Sequence, residues 1–147
     1  MKKTKTFNTP PKAGLIKNVR EANTFQDICA LAEKLRSDKG CPWDRAQTIA
    51  TMLKCIDEEA KEVCEAIENG DHENLKEELG DVLFQVVMIA QIAKENGYFD
   101  INEVIKEIDH KIRSRHTWVF GKDKAKTPEE AIAMWQKNKK EEKRLKN

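Results

Sequence analysis

The amino-acid sequence predicts an all-α fold, a bundle of four or five helices. Apolar residues recur three and four positions apart through most of the chain beyond residue 22, as they do on one face of a helix. Capping residues and Gly or Pro stop signals bound these segments. No segment alternates apolar and polar residues between turn signals, as strands do. With 147 residues, 39% of them hydrophobic, the chain can bury one core, so we expect a single domain.

The chain is expected to divide into a flexible N-terminal arm, residues 1–22, and a folded domain, residues 23–147. The arm has a Pro-Pro pair, a glycine and scattered lysines but no sustained periodicity. The first helix is predicted from Thr24, which caps it, to Arg36. A Gly-Cys-Pro-Trp segment ends this helix.

The second and third helices are predicted to follow one another with a short turn between them. The second begins after Asp44, whose carboxylate forms a capping-box pattern with Gln47, and it ends at Gly70. The third covers residues 73–96, where an Asn-Gly pair stops it.

The fourth and fifth helices have clear start signals. Asp100 with Glu103 caps the fourth. Thr127 followed by Pro128 opens the fifth, which contains Trp135. The apolar face of the fourth helix contains Ile105, Ile108 and Ile112.

Two acidic clusters lie on the second and third helices. Their sequences are Glu58-Glu59-Ala60-Lys61-Glu62 and Glu77-Glu78-Leu79-Gly80-Asp81. At about 100° per residue, Glu59 and Glu62 lie beside the apolar stripe of the second helix. Glu78 and Asp81 lie beside the stripe of the third. The stripe residues expected in the core are Ile49, Met52, Leu53, Ile56, Ala60, Val63 and Ile67 on the second helix and Leu75, Leu79, Val82, Val86, Ala90 and Ala93 on the third. Packed antiparallel through these stripes, the helices bring four carboxylates to one edge.

Four carboxylates at close range repel one another unless they are protonated or neutralised. Oxygen ligands on facing helices suit Mg²⁺ or Mn²⁺, and Mg²⁺ takes its remaining ligands from water and from substrate phosphates. A metal site of this kind therefore predicts a phosphorylated ligand. The alternative is an ordinary solvated helix surface, which suffices for Glu58 and Glu77. Asp81 is different because it leads into a segment that is apolar nearly all round.

Basic and aromatic residues form a second, weaker signal. Lys111 and Arg115 are four positions apart on the fourth helix, and Trp135 and Lys139 are four apart on the fifth. Such pairs can hold a phosphate or a base, although solvated charges and a core tryptophan are the commoner explanations. Trp43, in the turn after the first helix, either plugs the end of the bundle or lines a pocket.

Charge and cysteine content exclude several classes. The 27 basic and 26 acidic residues leave a net charge of +1, so broad electrostatic binding of nucleic acid is not indicated. The four cysteines form no C-x-x-C pair, which favours reduced thiols. No segment approaches the length of apolar sequence that spans a membrane, and no apolar signal core follows the N-terminus. We therefore expect a cytoplasmic protein that binds neither nucleic acid nor membrane.

Several motifs of the chain together match one protein family. They are Gly40-Cys41-Pro42-Trp43-Asp44 with Gln47-Thr48, the two acidic clusters, Val82-Leu83-Phe84-Gln85-Val86-Val87, Gly97-Tyr98-Phe99-Asp100, Arg115-His116, Val119-Phe120-Gly121 and Trp135. Over about residues 24–145 the chain resembles the MazG-type nucleotide pyrophosphohydrolases of the all-α NTP pyrophosphatase group. It departs from the familiar Arg-His-Pro-His run at Thr117 and Trp118.

The resemblance implies a hydrolase that converts (d)NTP to (d)NMP and pyrophosphate with Mg²⁺, or with Mn²⁺ as a substitute, for instance to cleanse the nucleotide pool. The implied metal ligands are Glu59, Glu62, Glu78 and Asp81. Together with Glu58 these acids form the implied catalytic set, and Glu77 is a further candidate beside a second ion. The implied nucleotide contacts are Lys111, Arg115, Trp135 and Lys139, with Trp43 as an additional candidate for the substrate site.

The resemblance also implies a homodimer or higher homo-oligomer that associates through its helices. The apolar girdle of the third helix is wide enough for both a core and an interface; its residues are Phe84, Val87, Met88 and Ile89. A helical nucleotide-sensing or protein-interaction module without turnover is the alternative. The presence of all four metal-ligand acids favours the enzyme. A di-iron carboxylate site is disfavoured because neither cluster contains histidine.

Overall fold

The computed structural model describes residues 22–146, which form helices and no strand, as predicted. The predicted N-terminal arm, residues 1–22, lies outside the described residues except for its last one. The helices in this range are Phe25–Arg36 (α1), Pro42–Ala46 (α2), Ile49–Glu68 (α3), His72–Glu95 (α4), Ile101–Arg115 (α5), Thr117–Phe120 (α6) and Pro128–Leu145 (α7). They belong to two compact units, one ending at Phe99 and the other beginning at Asp100.

The predicted caps of three helices are confirmed. Thr24 Oγ1 accepts a hydrogen bond from the Asp27 amide at 3.2 Å, and the Asp27 carboxylate accepts from the Thr24 amide at 3.0 Å. Asp100 caps α5 in the same reciprocal way with Glu103. Thr127 caps α7 ahead of a proline in its first turn. These short polar side chains satisfy amides that have no partner within the helix.

The predicted cap at Asp44 is wrong. Asp44 lies inside α2, a separate short helix that Pro42 begins. The long helix α3 starts later and is capped by Thr48, whose Oγ1 accepts from the Thr51 amide at 3.2 Å. Thr51 Oγ1 accepts in turn from the Thr48 amide at 2.9 Å. The Thr-x-x-Thr pair therefore satisfies the first amides of α3, and the Asp-x-x-Gln pattern does not.

The core of the first unit lies where α3 and α1 pack against α4. Its buried residues are Ala32 on α1; Met52, Cys55, Glu59 and Ala66 on α3; and Glu78, Gln85, Val87, Met88, Ala90, Ile92 and Ala93 on α4. The predicted core stripes are therefore wrong in part, because Leu53 is 71% exposed, Ile67 60% and Leu79 52%. Val87 and Met88 of the apolar girdle belong to the core.

On α3 two overlapping stripes have residues spaced three and four apart. One runs through Met52, Cys55, Glu59, Glu62 and Ala66, and it shares only Met52 with the more apolar stripe predicted for the core. The fold buries the stripe that contains the acids. Glu59 and Glu78 thus lie in the α3–α4 interface, 7% and 2% exposed, and not at its flank as predicted.

The second unit consists of α5, with α6 and α7 packed against it. None of its described residues is fully buried. Ile105, Ile108 and Ile112 of the predicted apolar face are 41%, 49% and 39% exposed. Polar contacts join α5 to α7: Arg115 Nε donates to Glu142 Oε2 at 2.8 Å. Within residues 22–146, no helix is both long and apolar enough to cross a membrane.

Candidate functional site

Three acidic side chains meet in the interface between α3 and α4. Glu59, Glu78 and Asp81 each place one carboxylate oxygen within 4.8 Å of an oxygen of the other two. Opposite ligands of Mg²⁺ are about 4.2 Å apart, since each Mg–O bond is about 2.1 Å. The three-acid cluster is therefore close to the size of one coordination sphere. Its position follows from the short connection between the helices, which makes α3 and α4 antiparallel neighbours.

The other predicted acids lie next to this cluster in the sequence. Glu62, the fourth predicted ligand, is half-buried one turn after Glu59 and is outside the group of three. Glu58 is half-buried, and its Oε1 is 3.7 Å from Lys54 Nζ. Glu77 is exposed. The roles of these three residues stay predictions.

The surroundings of the three-acid cluster suit a divalent cation. Gln85 follows Asp81 by one turn, is 4% exposed, and its buried Oε1 has no hydrogen-bond partner among the described residues. A buried acceptor without a donor costs about 1–3 kcal/mol. A hydrated cation removes such a cost because its water molecules donate hydrogen bonds. Carboxylate and amide oxygens are hard ligands, which favours Mg²⁺ or Mn²⁺ over softer metals.

Cys55 is buried one turn before Glu59 and does not change this assignment. Burial raises the pKa of the Cys55 thiol, and the negative charges of Glu58 and Glu59 raise it further. The raised pKa disfavours the thiolate, so Cys55 is not a ready nucleophile. All four cysteines of the chain are free thiols, in agreement with the prediction.

An open cleft of ≈ 800 Å³ lies beside α2 and the first half of α3. Its lining residues are Trp43, Gln47, Ala50, Thr51, Leu53, Lys54, Cys55, Asp57 and Glu58. Cys55 and Glu58 also flank Glu59 on α3, so the cleft adjoins the three-acid cluster within about one helical turn. The cleft offers an aromatic ring at Trp43 and a cation at Lys54, groups that suit the base and the phosphate of a nucleotide.

In the second unit the structure brings two predicted nucleotide contacts together. The Arg115 guanidinium lies 5.2 Å from the ring centroid of Trp135. His116 packs against the same ring at 4.9 Å and against Trp118 at 4.8 Å. Lys111 and Lys139 are exposed, and no contact between them and this aromatic group is recorded.

Glu142 binds a predicted nucleotide contact, Arg115, and was not singled out from the sequence. Its carboxylate bonds Arg115 and also accepts from Lys146 Nζ at 3.0 Å. The Arg115 hydrogen bond, followed by the Lys146 bond, lowers the pKa of Glu142 to about 2. Glu142 follows Trp135 by seven positions, which places both residues on one face of α7, but no sequence signal pairs Glu142 with Arg115.

A family model described as the MazG nucleotide pyrophosphohydrolase domain matches residues 47–120. The chain belongs to this family. The matched MazG segment contains α3 and α4 with the acids of both clusters, and also Lys111 and Arg115. Trp43, Trp135 and Lys139 lie outside it.

Relatives and a solved structure agree with membership of the MazG family. The chain is 41% identical over 121 residues to the nucleoside triphosphate pyrophosphohydrolase of Escherichia coli K12, covering 82% of this chain and 46% of that protein. It is 47% identical over 97 residues to the nucleoside triphosphate pyrophosphohydrolase/pyrophosphatase MazG of Thermotoga maritima, covering 66% and 38%. The chain thus spans less than half the length of these relatives.

The fold also matches a crystal structure. That structure is of a mazG-related protein from Thermotoga maritima, with a TM-score of 0.66 and 33% sequence identity. The match covers 78% of this chain and 98% of the other. Nearly all of that solved chain therefore has a counterpart in this one.

Proposed function

We propose that this chain is an Mg²⁺-dependent nucleoside triphosphate pyrophosphohydrolase that converts (d)NTP and water to (d)NMP and pyrophosphate. The observation that carries the proposal is the three-acid cluster of Glu59, Glu78 and Asp81, buried between two helices of a MazG-family chain. Buried carboxylates at this spacing have a high free-energy cost unless a cation neutralises them. The names of the relatives from Escherichia coli and Thermotoga maritima support the same reaction.

The acids of α3 and α4 would have separate roles in the reaction. Glu59, Glu78 and Asp81 hold the cation, with Glu62 as the fourth ligand. The cation supplies charge neutralisation on the phosphate chain. Glu58 and Glu62 adjoin the three-acid cluster, and a carboxylate there accepts a hydrogen bond from the attacking water and orients or deprotonates it. Water attack on the phosphate chain breaks one anhydride bond and releases pyrophosphate.

The nucleoside part of the substrate is proposed to lie in the cleft beside Trp43. An indole ring stacks on any base, so this contact favours broad tolerance of the base. Lys111, Arg115, Trp135 and Lys139 are proposed to contact the nucleotide as well. Arg115 donates to Glu142 through Nε, and its guanidinium has four further N–H groups that can donate to phosphate oxygens.

We further propose that the chain works as a homodimer or higher homo-oligomer in the cytoplasm, where it removes unwanted nucleotides from the pool. The apolar surface of the first unit supports association, since Leu53, Ile67 and Leu79 are each more than half exposed. Neither nucleic acid nor membrane is a proposed partner.

A product analysis tests the proposed reaction. The purified chain is incubated with each common ribo- and deoxyribonucleoside triphosphate and Mg²⁺, with an EDTA control, and the products are resolved by ion-exchange chromatography. Monophosphate and pyrophosphate that disappear in EDTA are the expected result. Diphosphate and phosphate, or no turnover of any nucleotide, would refute the proposal and leave a different hydrolase or a binding module.

A further inference from the structure

Arg36, the last residue of α1, has a largely buried side chain that no proposed step of the reaction uses. Its side chain is 8% exposed. The guanidinium forms a forked bond with Glu95 on α4: Nε lies 2.9 Å from Oε2 and Nη2 lies 2.7 Å from the same oxygen. Gln91 Nε2 donates to Glu95 Oε1 at 3.0 Å and fixes the carboxylate. The Arg36 bond lowers the pKa of Glu95, so the pair is charged at neutral pH.

The other edge of the guanidinium holds the segment that contains Trp43. Arg36 Nη1 donates to the carbonyl oxygen of Asp44 and, at 3.2 Å, to that of Gln47. The Asp44 carbonyl lies within α2 and also accepts from the Gln47 amide at 3.2 Å, and the Gln47 carbonyl lies just after α2, where a helix leaves acceptors without internal partners. A cation at the end of a helix satisfies such acceptors.

Few other contacts hold α2: the Cys41 amide donates to the Leu35 carbonyl at 2.7 Å, and Arg45 Nη1 donates to the Asp38 carbonyl at 3.2 Å. α2 has five residues and no buried side chain, and a helix of that length is not stable alone. Gln47 carries the contact onward: its Nε2 donates to the Trp43 carbonyl at 2.9 Å, and its Oε1 accepts from Thr51 Oγ1 at 2.9 Å. Trp43, Gln47 and Thr51 all line the cleft beside the three-acid cluster.

We infer that Arg36 is a positioning residue of the nucleotide site: by bridging Glu95 to the carbonyls of Asp44 and Gln47, it fixes the Trp43 wall of the cleft. The inference rests on the proposed function in taking the cleft as the nucleoside site. Lysine cannot replace arginine here, because an ammonium lacks the planar fork that reaches a carboxylate and two carbonyls at once. Loss of the bridge should weaken nucleotide binding and leave the metal-binding acids in place.

The test compares Arg36→Gln and Arg36→Lys with a matched control, Arg45→Gln. Arg45 also binds from α2 to a residue outside it, but its bonds to the Asp38 carboxylate and, at 3.2 Å, to the Asp38 carbonyl are exposed to solvent, where a hydrogen bond contributes little. The readouts are KM and kcat for a nucleoside triphosphate and amide hydrogen exchange of residues 42–47. For both Arg36 variants we expect the amide exchange rate and KM each to rise about tenfold, because the loss of a hydrogen bond to a charged group has an effect of that size. We expect kcat to change little, and Arg45→Gln to behave as the unmodified chain does.

A third variant, Glu95→Gln, keeps the inference testable if the Arg36 variants fail to fold. The glutamine keeps one acceptor oxygen for Arg36 but lacks the negative charge of Glu95. We therefore expect a smaller rise in both the amide exchange rate and KM. Unchanged exchange of residues 42–47 would refute the bridge, and faster exchange with unchanged KM would refute the positioning role. Absence of turnover in the unmodified chain would instead refute the proposed function, and the exchange data would still decide the bridge.

Discussion

Glu59 and Glu78 occupy positions where apolar residues would stabilise the fold more. Both lie in the α3–α4 interface, and Asp81 is close enough to repel them. A buried charge that loses the oppositely charged group beside it destabilises the fold by roughly 3–5 kcal/mol. A cation bound as proposed would therefore contribute to stability as well as to chemistry at this position. The same three residues predict a dependence of both properties on Mg²⁺.

Asp81→Ala should abolish both effects of the metal. It removes one ligand of the three-acid cluster and leaves the helix face intact, so we expect turnover to fall by about two orders of magnitude or more. In the unmodified chain, Mg²⁺ at a hundred times its Kd should stabilise the fold by about 2.7 kcal/mol, and this gain should be lost in the variant. The product analysis measures turnover, and thermal unfolding with and without EDTA measures the stabilisation by Mg²⁺. Isothermal titration calorimetry measures the affinity for Mg²⁺.

Glu68→Ala is the matched control, since Glu68 is the exposed last residue of α3. It should retain turnover and the response to Mg²⁺. Near-normal activity of Asp81→Ala with normal Mg²⁺ affinity would show that the three-acid cluster is not the metal site.

Glu142 should titrate far below an ordinary glutamate. Its pKa is lowered to about 2, first by the Arg115 hydrogen bond, so the pair contributes stability above about pH 4.5 and loses it as the pH falls towards 2. ¹³C NMR of the glutamate carboxyl carbons measures the midpoint directly. Arg115→Gln should move the midpoint of Glu142 upward. An ordinary midpoint in both proteins would mean that the Arg115–Glu142 bond is not kept in solution.

At the scale of the elements, capping chemistry was readable from the sequence and burial was not. Thr24, Asp100 and Thr127 cap the helices predicted for them because a short polar side chain followed by a helical pattern has few other uses. The cap predicted at Asp44 was wrong because two capping patterns lie close together in the sequence. The structure forms the pattern that begins at Thr48. Local signals do not rank competing caps that lie four residues apart.

Burial was mispredicted for a different physical reason. Hydrophobicity selects the most apolar stripe of a helix, and on α3 that stripe includes Leu53 and Ile67, which are exposed in this chain. The buried stripe includes Glu59, whose charge counts against it in any apolar pattern. The pairing of the acids between α3 and α4 was predictable from their spacing. Glu142 was not, because its link to Arg115 spans 27 positions between two helices.

Substitution of two glycines by alanine is expected to change the stability of the fold in opposite directions. Gly80 lies inside α4 with open space where a Cβ would stand, so Gly80→Ala should stabilise the fold by about 0.5–1 kcal/mol. Gly70 follows α3 with φ +63°, so Gly70→Ala should destabilise it by about 1 kcal/mol. Urea unfolding in EDTA measures both changes. A destabilising Gly80→Ala would indicate that another surface approaches Gly80 closely.

On the scale of the whole molecule, a single chain leaves substantial apolar surface uncovered. In the first unit the exposed stripe of α3 and the leucines of α4 contribute, with Leu79 and Leu83 at 52% and 42% exposure. In the second unit, where no described residue is fully buried, the isoleucines of α5 are half exposed. Large exposed apolar residues on several helices favour association with another protein surface. The near-zero net charge offers no long-range repulsion between copies.

We therefore expect light scattering to give at least twice the chain mass of 16.9 kDa. Ile67→Lys combined with Leu79→Lys should shift the protein towards the monomer, because each charge would have to be buried in the interface at a cost of several kcal/mol. Leu145→Lys is the control: Leu145 is a leucine of similar exposure, 74%, and it is the last residue of α7 in the second unit. A monomeric unmodified chain would refute association. A double variant that stays oligomeric would move the interface away from the exposed stripes of α3 and α4, and the half-exposed isoleucines of α5 would be the next residues to substitute.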